Sequence, residues 1–432
     1  MIRYILVLLS VVALVSCQKS ESVKSVPYDS NLLFKLNNSL TEAIIQDGFS
    51  PPVASRIYAY CNLTAQAVVS TNSDSNSVML NELNGFEQLH LSNSLDIDSA
   101  LVLTEAFVLV GQELVYRDYI LDSLKAELDF SYLSSTVRDN SLVFAQEIAE
   151  IVVSRAKNDG YAETRTMPRY LPLGAADNWE PTPPGYMEAL EPYWGNIQPF
   201  LLDSSAQFYR SKTFEFSEDK TSEFYENIVL EVYNAVNGSS DEDKLIAHFW
   251  DCNPFLTKKQ GHLVYHVRQL TPGGHWLGIT ETACQMQKLN LRESANLMAM
   301  VSVALADGFI TAWYTKFQTN FIRPETYINR YLDAKWKPIL ESPHFPEYTS
   351  AHSTVSAAAA YVLTNRFGTD FQFIDSTEVP IGLPPKEFNS FFEASNEASE
   401  SRILGGIHFR PAIEVGIEQG ISVGELTVTR LR

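Results

Sequence analysis

The stretch Tyr348-Thr349-Ser350-Ala351-His352-Ser353-Thr354, continuing into Ala357-Ala358-Ala359-Ala360-Tyr361-Val362-Leu363, decides the fold class. Thr349 or Ser350 caps a helix, and the alanines with their apolar neighbours predict a helix over Thr354 to Arg366 that is buried on most sides. The same helical periodicity, rather than strand-like alternation, marks Ala100 to Lys125, Val143 to Ala156, Thr221 to Asn237 and Ala283 to Thr319. No repeat of solenoid period interrupts this pattern. The expectation is an all-α protein, a large helical bundle with long irregular loops.

Two segments depart from it. Thr166 to Pro199 carries seven prolines among aromatics such as Trp179, Tyr186 and Trp194, and reads as a long irregular loop. Prolines lower the entropy cost of ordering such a loop, and loops of this length are usually functional or packed over a neighbour. Leu270 to Leu277, with Thr271-Pro272-Gly273-Gly274-His275-Trp276, reads as a second irregular segment. Neither breaks the composition sharply, so residues 31 to 432 are assigned to one helical domain.

A chain of 432 residues, 45% of them hydrophobic, can bury a large core. With 32 basic against 52 acidic residues its formal charge is -20, which disfavours nucleic acid and anionic lipid surfaces. Any anion site must be a local exception. Residues 1 to 17 read as an export signal: Arg3, an apolar run from Ile5 to Val15, then Leu14-Val15-Ser16-Cys17. This ending resembles a bacterial lipobox and implies a lipid anchor at Cys17 in the cell envelope; Gln18 after it favours the outer membrane by the same resemblance. Residues 18 to 30 read as a flexible tether. Cys61, Cys252 and Cys284 show no paired spacing, so neither a disulfide framework nor a zinc motif is indicated, and buried free thiols are expected.

Three segments carry candidate chemistry. In Trp313 to Pro324, Lys316 and Arg323 stand seven apart, two helical turns, so both cations can share a face; the proline suggests that the helix ends at Arg323. In Pro343 to Thr354, the capped helix start offers unpaired N–H groups and a positive dipole end to an anion, with His352 in its first turn. There an anion would favour the protonated ring and suit it to proton transfer. In Ser401 to Arg410, Gly405 and Gly406 permit a tight bend before His408. Separately, surface charge, capping and packing account for these segments.

Together they match, in order and spacing, the signature of the family that joins vanadium-dependent haloperoxidases to type 2 phosphatidic acid phosphatases. Lys316 to Pro324 fits K-x6-R-P, Ser350 to His352 resembles the end of P-S-G-H with Thr349 in place of proline, and Ser401 to His408 fits S-R-x5-H. Weaker likeness to bacterial haloperoxidase-like proteins lies in Pro51 to Arg56, Trp179 to Tyr186, Phe249-Trp250-Asp251 and Gly274-His275-Trp276. The resemblance implies an oxyanion cradle of Lys316, Arg323, Ser350, the Ala351 amide and Arg402, with vanadate as cofactor. His408 would be its axial, metal-bound group, and His352 a proton shuttle. The substrates implied are hydrogen peroxide and halide.

The alternatives are an acid phosphatase acting on a phosphate ester through a phosphohistidine, and a non-catalytic ligand-binding lipoprotein. Trp313 and Phe345 resemble apolar groups lining a halide pocket, which favours the peroxidase. Two departures bear on the site. Ala351 replaces the usual glycine, with strain if φ were positive, and Ala412 stands where the pattern often has an aspartate, leaving the partner that orients His408 open. Asp251 is implied as a partner for one of the arginines.

Overall fold

A computed structural model describes residues 25–71, 79–86, 95–254, 256–260 and 262–431. The expected export signal, Cys17 and most of the expected tether lie outside these residues. The N-terminal part comprises α1 (Ser30–Asp47), α2 (Pro51–Ser70), α3 (Ser99–Leu114), α4 (Tyr119–Glu127), α5 (Ser135–Lys157) and α6 (Tyr161–Thr164). After a long loop come α7 (Leu230–Asn237), α8 (Asp241–Phe249), β1 (Leu256–Gln260), β2 (Leu263–Val267) and α9 (Pro272–Met286). The remainder holds α10 (Leu291–Thr319), α11 (Pro324–Tyr331), α12 (Ala351–Phe367), β3 (Phe373–Asp375), β4 (Lys386–Phe388), α13 (Phe391–Leu404) and α14 (Arg410–Arg430). Among the described residues the strands form two antiparallel pairs, Leu256 facing Val267 and Phe373 facing Phe388, so the fold is mainly helical as expected.

Several boundaries differ from the periodicity. The segment Ala100 to Lys125 is two helices, because Val115 turns extended and the Tyr116 and Arg117 amides donate to Asp47 Oδ2 at 2.7 and 3.2 Å. A carboxylate from α1 thus captures the donors that would have continued the helix. Ala283 to Thr319 divides between α9 and α10, where Lys288 is left-handed (φ 51°) and Asn290 with Glu293 closes a capping box. Thr221 to Asn237 begins as a π-turn over Phe224–Val229 before α7. Leu270 to Leu277 is not an irregular segment: Thr271 accepts from the Gly274 amide at 3.3 Å and Pro272 occupies the first helical position, so α9 starts here despite two glycines. Thr166 to Pro199 does lack regular structure apart from the short turn at Trp194–Asn196, with Trp179 and Trp194 buried.

Helix α10 forms the axis of the core, packing on α2, α12 and α14. It is long and apolar enough to cross a membrane, yet 89% of its most apolar stretch is buried inside the protein. Helices α12 and α14 approach closely because Gly416, Gly420 and Gly424 recur every four residues on one face of α14. A methyl group at Gly420 would lie 2.1 Å from the Thr354 carbonyl. That close approach brings the start of α14, just after His408, beside the start of α12, where Ser350 donates its amide to Ala412 O at 2.9 Å.

Candidate functional site

Lys316 lies in the last turn of α10, which ends at Thr319 with Asn320 left-handed at φ 47°. Arg323 is therefore not on the same helical face, as the spacing predicts, but in extended backbone (φ -79°, ψ 152°) before Pro324. The proline-rich loop fixes this corner: Trp179 donates its amide to Asn320 O at 2.8 Å and Ile322 to Asp177 O at 2.9 Å. The two cations meet because the chain turns between them. Both are wholly buried.

Lys316 Nζ donates to the carbonyls of Pro346 (3.0 Å), Glu347 (2.9 Å) and Thr349. Burial holds its pKa well below the usual lysine value, Arg323 pushes the same way, and Glu347 opposes them. Arg323 donates from Nε to Phe345 O at 3.0 Å and from Nη1 to Ile407 O at 2.8 Å, while its Nη2 is buried without a partner. Burial lowers the guanidinium to about 9 against the pull of Glu347. The Phe345 ring centroid lies 4.9 Å from the Arg323 guanidinium carbon and 5.0 Å from Lys316 Nζ, so one aromatic ring is shared by both charges.

Ser350 caps α12, its Oγ accepting from Ser353 N at 3.3 Å. Ala351 follows with helical backbone, and alanine in place of glycine carries no left-handed strain. His352 is the second residue of the helix; its Nε2 is buried and unpartnered. Burial chiefly, and then Arg402, hold the ring well below the ordinary histidine pKa, so without an anion it is neutral. Arg402, in the last turn of α13, donates from Nε to Ser401 Oγ at 2.9 Å and from Nη2 to Trp250 O at 2.5 Å. Burial lowers it to about 10, and the Asp251 carboxylate opposes that, which fits Asp251 as an arginine partner.

Gly406 takes the left-handed conformation (φ 78°) that turns the chain into His408. The His408 ring is held at both nitrogens, Nδ1 2.8 Å from Glu347 Oε1 and Nε2 3.2 Å from Arg323 Nη1. Arginine has no acceptor, so Nη1 donates to Nε2 and the proton sits on Nδ1, pointing at Glu347. Burial first, then Arg323, keep the imidazole well below its ordinary pKa and neutral. Glu347 also accepts the Phe409 amide at 2.9 Å, and burial raises its carboxyl to about 7. Glu347 therefore supplies the partner that Ala412 does not. It stands inside the second motif segment, and the one available signal was a carboxylate among residues otherwise suited to a buried loop.

A pocket of about 550 Å³, including its open mouth, is lined among others by Ala351, His352, Arg402 and His408, with Phe345, His344 and Leu190 on its wall. Lys316, Arg323 and Ser350 stand behind these residues. Of the two aromatics expected to line a halide pocket, Phe345 does so, whereas Trp313 is fully buried behind it, ring centroids 4.7 Å apart, its Nε1 donating to Leu190 O. Tryptophan is the larger ring, and its N–H is satisfied by the proline-rich loop rather than by anything in the pocket. His344, which none of the motif positions includes, also stands on the pocket wall, its Nε2 3.6 Å from Glu341 Oε1. Three buried cations, a helix start and two neutral imidazoles suit a multiply charged oxyanion.

A family profile described as the VCPO second helical-bundle domain matches residues 296–432. The structure is similar to that of the first bacterial vanadium-dependent iodoperoxidase, with a TM-score of 0.88 and 38% identity over 95% of this chain and 98% of that one. It also shares its fold with a bacterial vanadium-dependent chloroperoxidase in apo and holo forms, TM-score 0.67 and 16% identity over 89% of this chain and 94% of that one. No curated protein sequence matches the chain.

Proposed function

The chain belongs to the vanadium-dependent haloperoxidases, and we propose that its pocket uses vanadate to oxidise iodide with hydrogen peroxide. The choice of iodide rests on the 38% identity to an iodoperoxidase across nearly the whole of both chains. The residues fit the cofactor on two orphaned atoms: Arg323 Nη2 and His352 Nε2 are buried polar groups that an oxyanion in the cradle would satisfy.

Vanadate, when bound, supplies a Lewis-acid centre that polarises peroxide towards attack by halide. Lys316, Arg323 and Arg402 would neutralise its oxygens, with the Ser350 hydroxyl and Ala351 amide adding hydrogen bonds. His408 would bind the metal through Nε2, the nitrogen left with a lone pair by the Nδ1 contact to Glu347. Arg323 Nη1, which donates to that nitrogen, would turn to the oxyanion. His352, neutral and open to the pocket, would accept a proton from incoming peroxide and return it to the leaving oxygen. The single observation that carries this reading is His408, with one nitrogen anchored to a carboxylate and the other facing an arginine.

The test is peroxide-dependent triiodide formation by protein lacking residues 1 to 17, with and without orthovanadate, and with bromide, chloride and an aryl phosphate in parallel. Vanadate-dependent iodide oxidation exceeding that of bromide supports the proposal. Phosphate ester hydrolysis inhibited by vanadate points instead to an acid phosphatase, and no turnover with any of them to a binding protein.

The envelope location is likewise proposed, on the order of Arg3, the apolar run and Leu14-Val15-Ser16-Cys17. Metabolic labelling with a fatty acid, lost in Cys17→Ser, tests it.

A further inference from the structure

Beside the pocket, but not part of the cradle, four side chains from distant parts of the chain converge: Cys252, His275, Asp375 and Glu378. Asp375 is fixed by the amide (2.9 Å) and hydroxyl (2.7 Å) of Thr377 on Oδ1 and directs Oδ2 at His275 Nε2, 2.6 Å away. That contact places a proton on Nε2 and fixes the ring, so Nδ1 is the nitrogen that a metal would take, in exchange for the proton it shares with Glu378 in the metal-free site. Nδ1 in turn faces Cys252 Sγ at 3.4 Å and Glu378 Oε1 at 3.1 Å, and those two atoms are 3.8 Å apart. Three metal-ligand atoms of three kinds thus form a small triangle, all at buried residues.

We propose that Cys252 Sγ, His275 Nδ1 and Glu378 Oε1 bind a zinc ion, with Asp375 as the positioning residue that orients His275. Tetrahedral zinc with bonds of about 2.0–2.3 Å holds neighbouring ligand atoms roughly 3.3–3.6 Å apart, so the observed triangle needs adjustments of only a few tenths of an ångström. The carboxylate-histidine-metal arrangement is the usual way in which a protein fixes a ligand imidazole. Packing holds the ring as well: the Trp250 indole stacks on it at 4.5 Å and 13°. Cys252 sits in the left-handed region at φ 45°, a conformation unusual for a residue with a side chain, and this aims its thiol at the histidine.

Binding breaks the Cys252 S–H bond and removes any proton on Nδ1, and those protons leave to solvent. The fourth position falls to water or to the other Glu378 oxygen. Cys252 lines the catalytic pocket and Glu378 a second pocket of about 910 Å³ including its open mouth, so the triangle lies between the two. The ion would brace Trp250 to Cys252, whose Trp250 carbonyl holds Arg402. Sequence spacing hides the site, because its ligands stand at 252, 275 and 378 rather than in paired motifs.

The experiment strips the protein lacking residues 1 to 17 with a chelator and adds Co²⁺ alone, then Zn²⁺. One Co²⁺ per chain, a near-ultraviolet sulfur-to-cobalt charge-transfer band, displacement by Zn²⁺ and a raised Tm are expected. Cys252→Ser should abolish the band, while Asp375→Asn should keep it and weaken Co²⁺ affinity about 10–100-fold. A folded wild-type protein without the band, or a band that persists in Cys252→Ser through Cys61 or Cys284, overturns the proposal. If Cys252→Ser does not fold, zinc-edge X-ray absorption of the loaded wild type decides: a sulfur neighbour supports the site and its absence overturns it. None of these outcomes bears on vanadate-dependent iodide oxidation.

Discussion

Glu347 Oε1 accepts from His408 Nδ1 at 2.8 Å and from the Phe409 amide at 2.9 Å, so one buried carboxylate fixes both the ring and the main chain that carries it. The first expected outcome concerns this pair. Glu347→Ala should lower vanadate affinity about 10–100-fold, since a metal-binding histidine that loses its carboxylate loses both orientation and basicity. Equilibrium dialysis against orthovanadate measures it; affinity equal to wild type would remove Glu347 from the site.

The same carboxyl, raised by burial to about 7, titrates across neutrality in the face of Arg323, Lys316 and Lys212. Above that pH it is an anion that accepts from Nδ1; below it the proton goes to the unpartnered Oε2, and Oε1 accepts from Nδ1 only as the weaker oxygen of a neutral carboxyl. Vanadate affinity should therefore fall as pH drops through about 7 in the wild type. In Glu347→Gln the affinity should be weaker at high pH, with this step missing. Comparing the two pH profiles cancels the protonation of vanadate itself.

His408 and His352 divide the work differently. His408→Ala should abolish both high-affinity vanadate binding and turnover, because it removes the nitrogen that Glu347 holds in place and that faces Arg323. His352→Ala should keep appreciable vanadate binding and lose roughly 10²–10⁴-fold in kcat, the usual worth of a positioned proton carrier. Dialysis and steady-state iodide oxidation, run side by side, separate the roles; wild-type turnover in either variant contradicts its assignment.

Arg323→Lys is not conservative here. Lysine keeps the charge but cannot reach Phe345 O, Ile407 O and His408 Nε2 together, as the planar fork does. A loss in kcat of about a hundredfold or more is expected, in line with removal of one transition-state donor. Far-ultraviolet circular dichroism should remain that of the wild type.

Gly420→Ala tests the frame instead of the chemistry. The new methyl meets the Thr354 carbonyl at 2.1 Å, so α12 and α14 must separate. A cost of about 1–3 kcal/mol is expected for overpacking of this kind. Denaturant unfolding measures it. Vanadate affinity should weaken too, since Ser350 and His408 are carried on these two helices.

The amino-acid sequence by itself determined the mainly helical class and the irregular proline-rich loop, and it singled out the residues proposed for the cradle. Alanine-rich and amphipathic periodicity is local, and so are the intervals between Lys316 and Arg323 and between Arg402 and His408. What only the tertiary structure decided were relationships across the chain. Helix ends at Val115 and Lys288 depended on side chains and turns that periodicity does not register. Lys316 and Arg323 meet through a corner pinned by residues 177 to 179, which no helical wheel contains. Trp313 belongs to the core behind Phe345, although both stand near the motifs. Glu347 takes the place that Ala412 leaves because the loop before α12 runs beneath the turn after α13. Cys252, His275 and Glu378 likewise converge from positions with no common spacing. The physical reason is the same in each case: periodicity and capping are set by neighbours in sequence, whereas burial, charge pairing and ligand geometry are set by whatever the packed helices bring within a few ångströms.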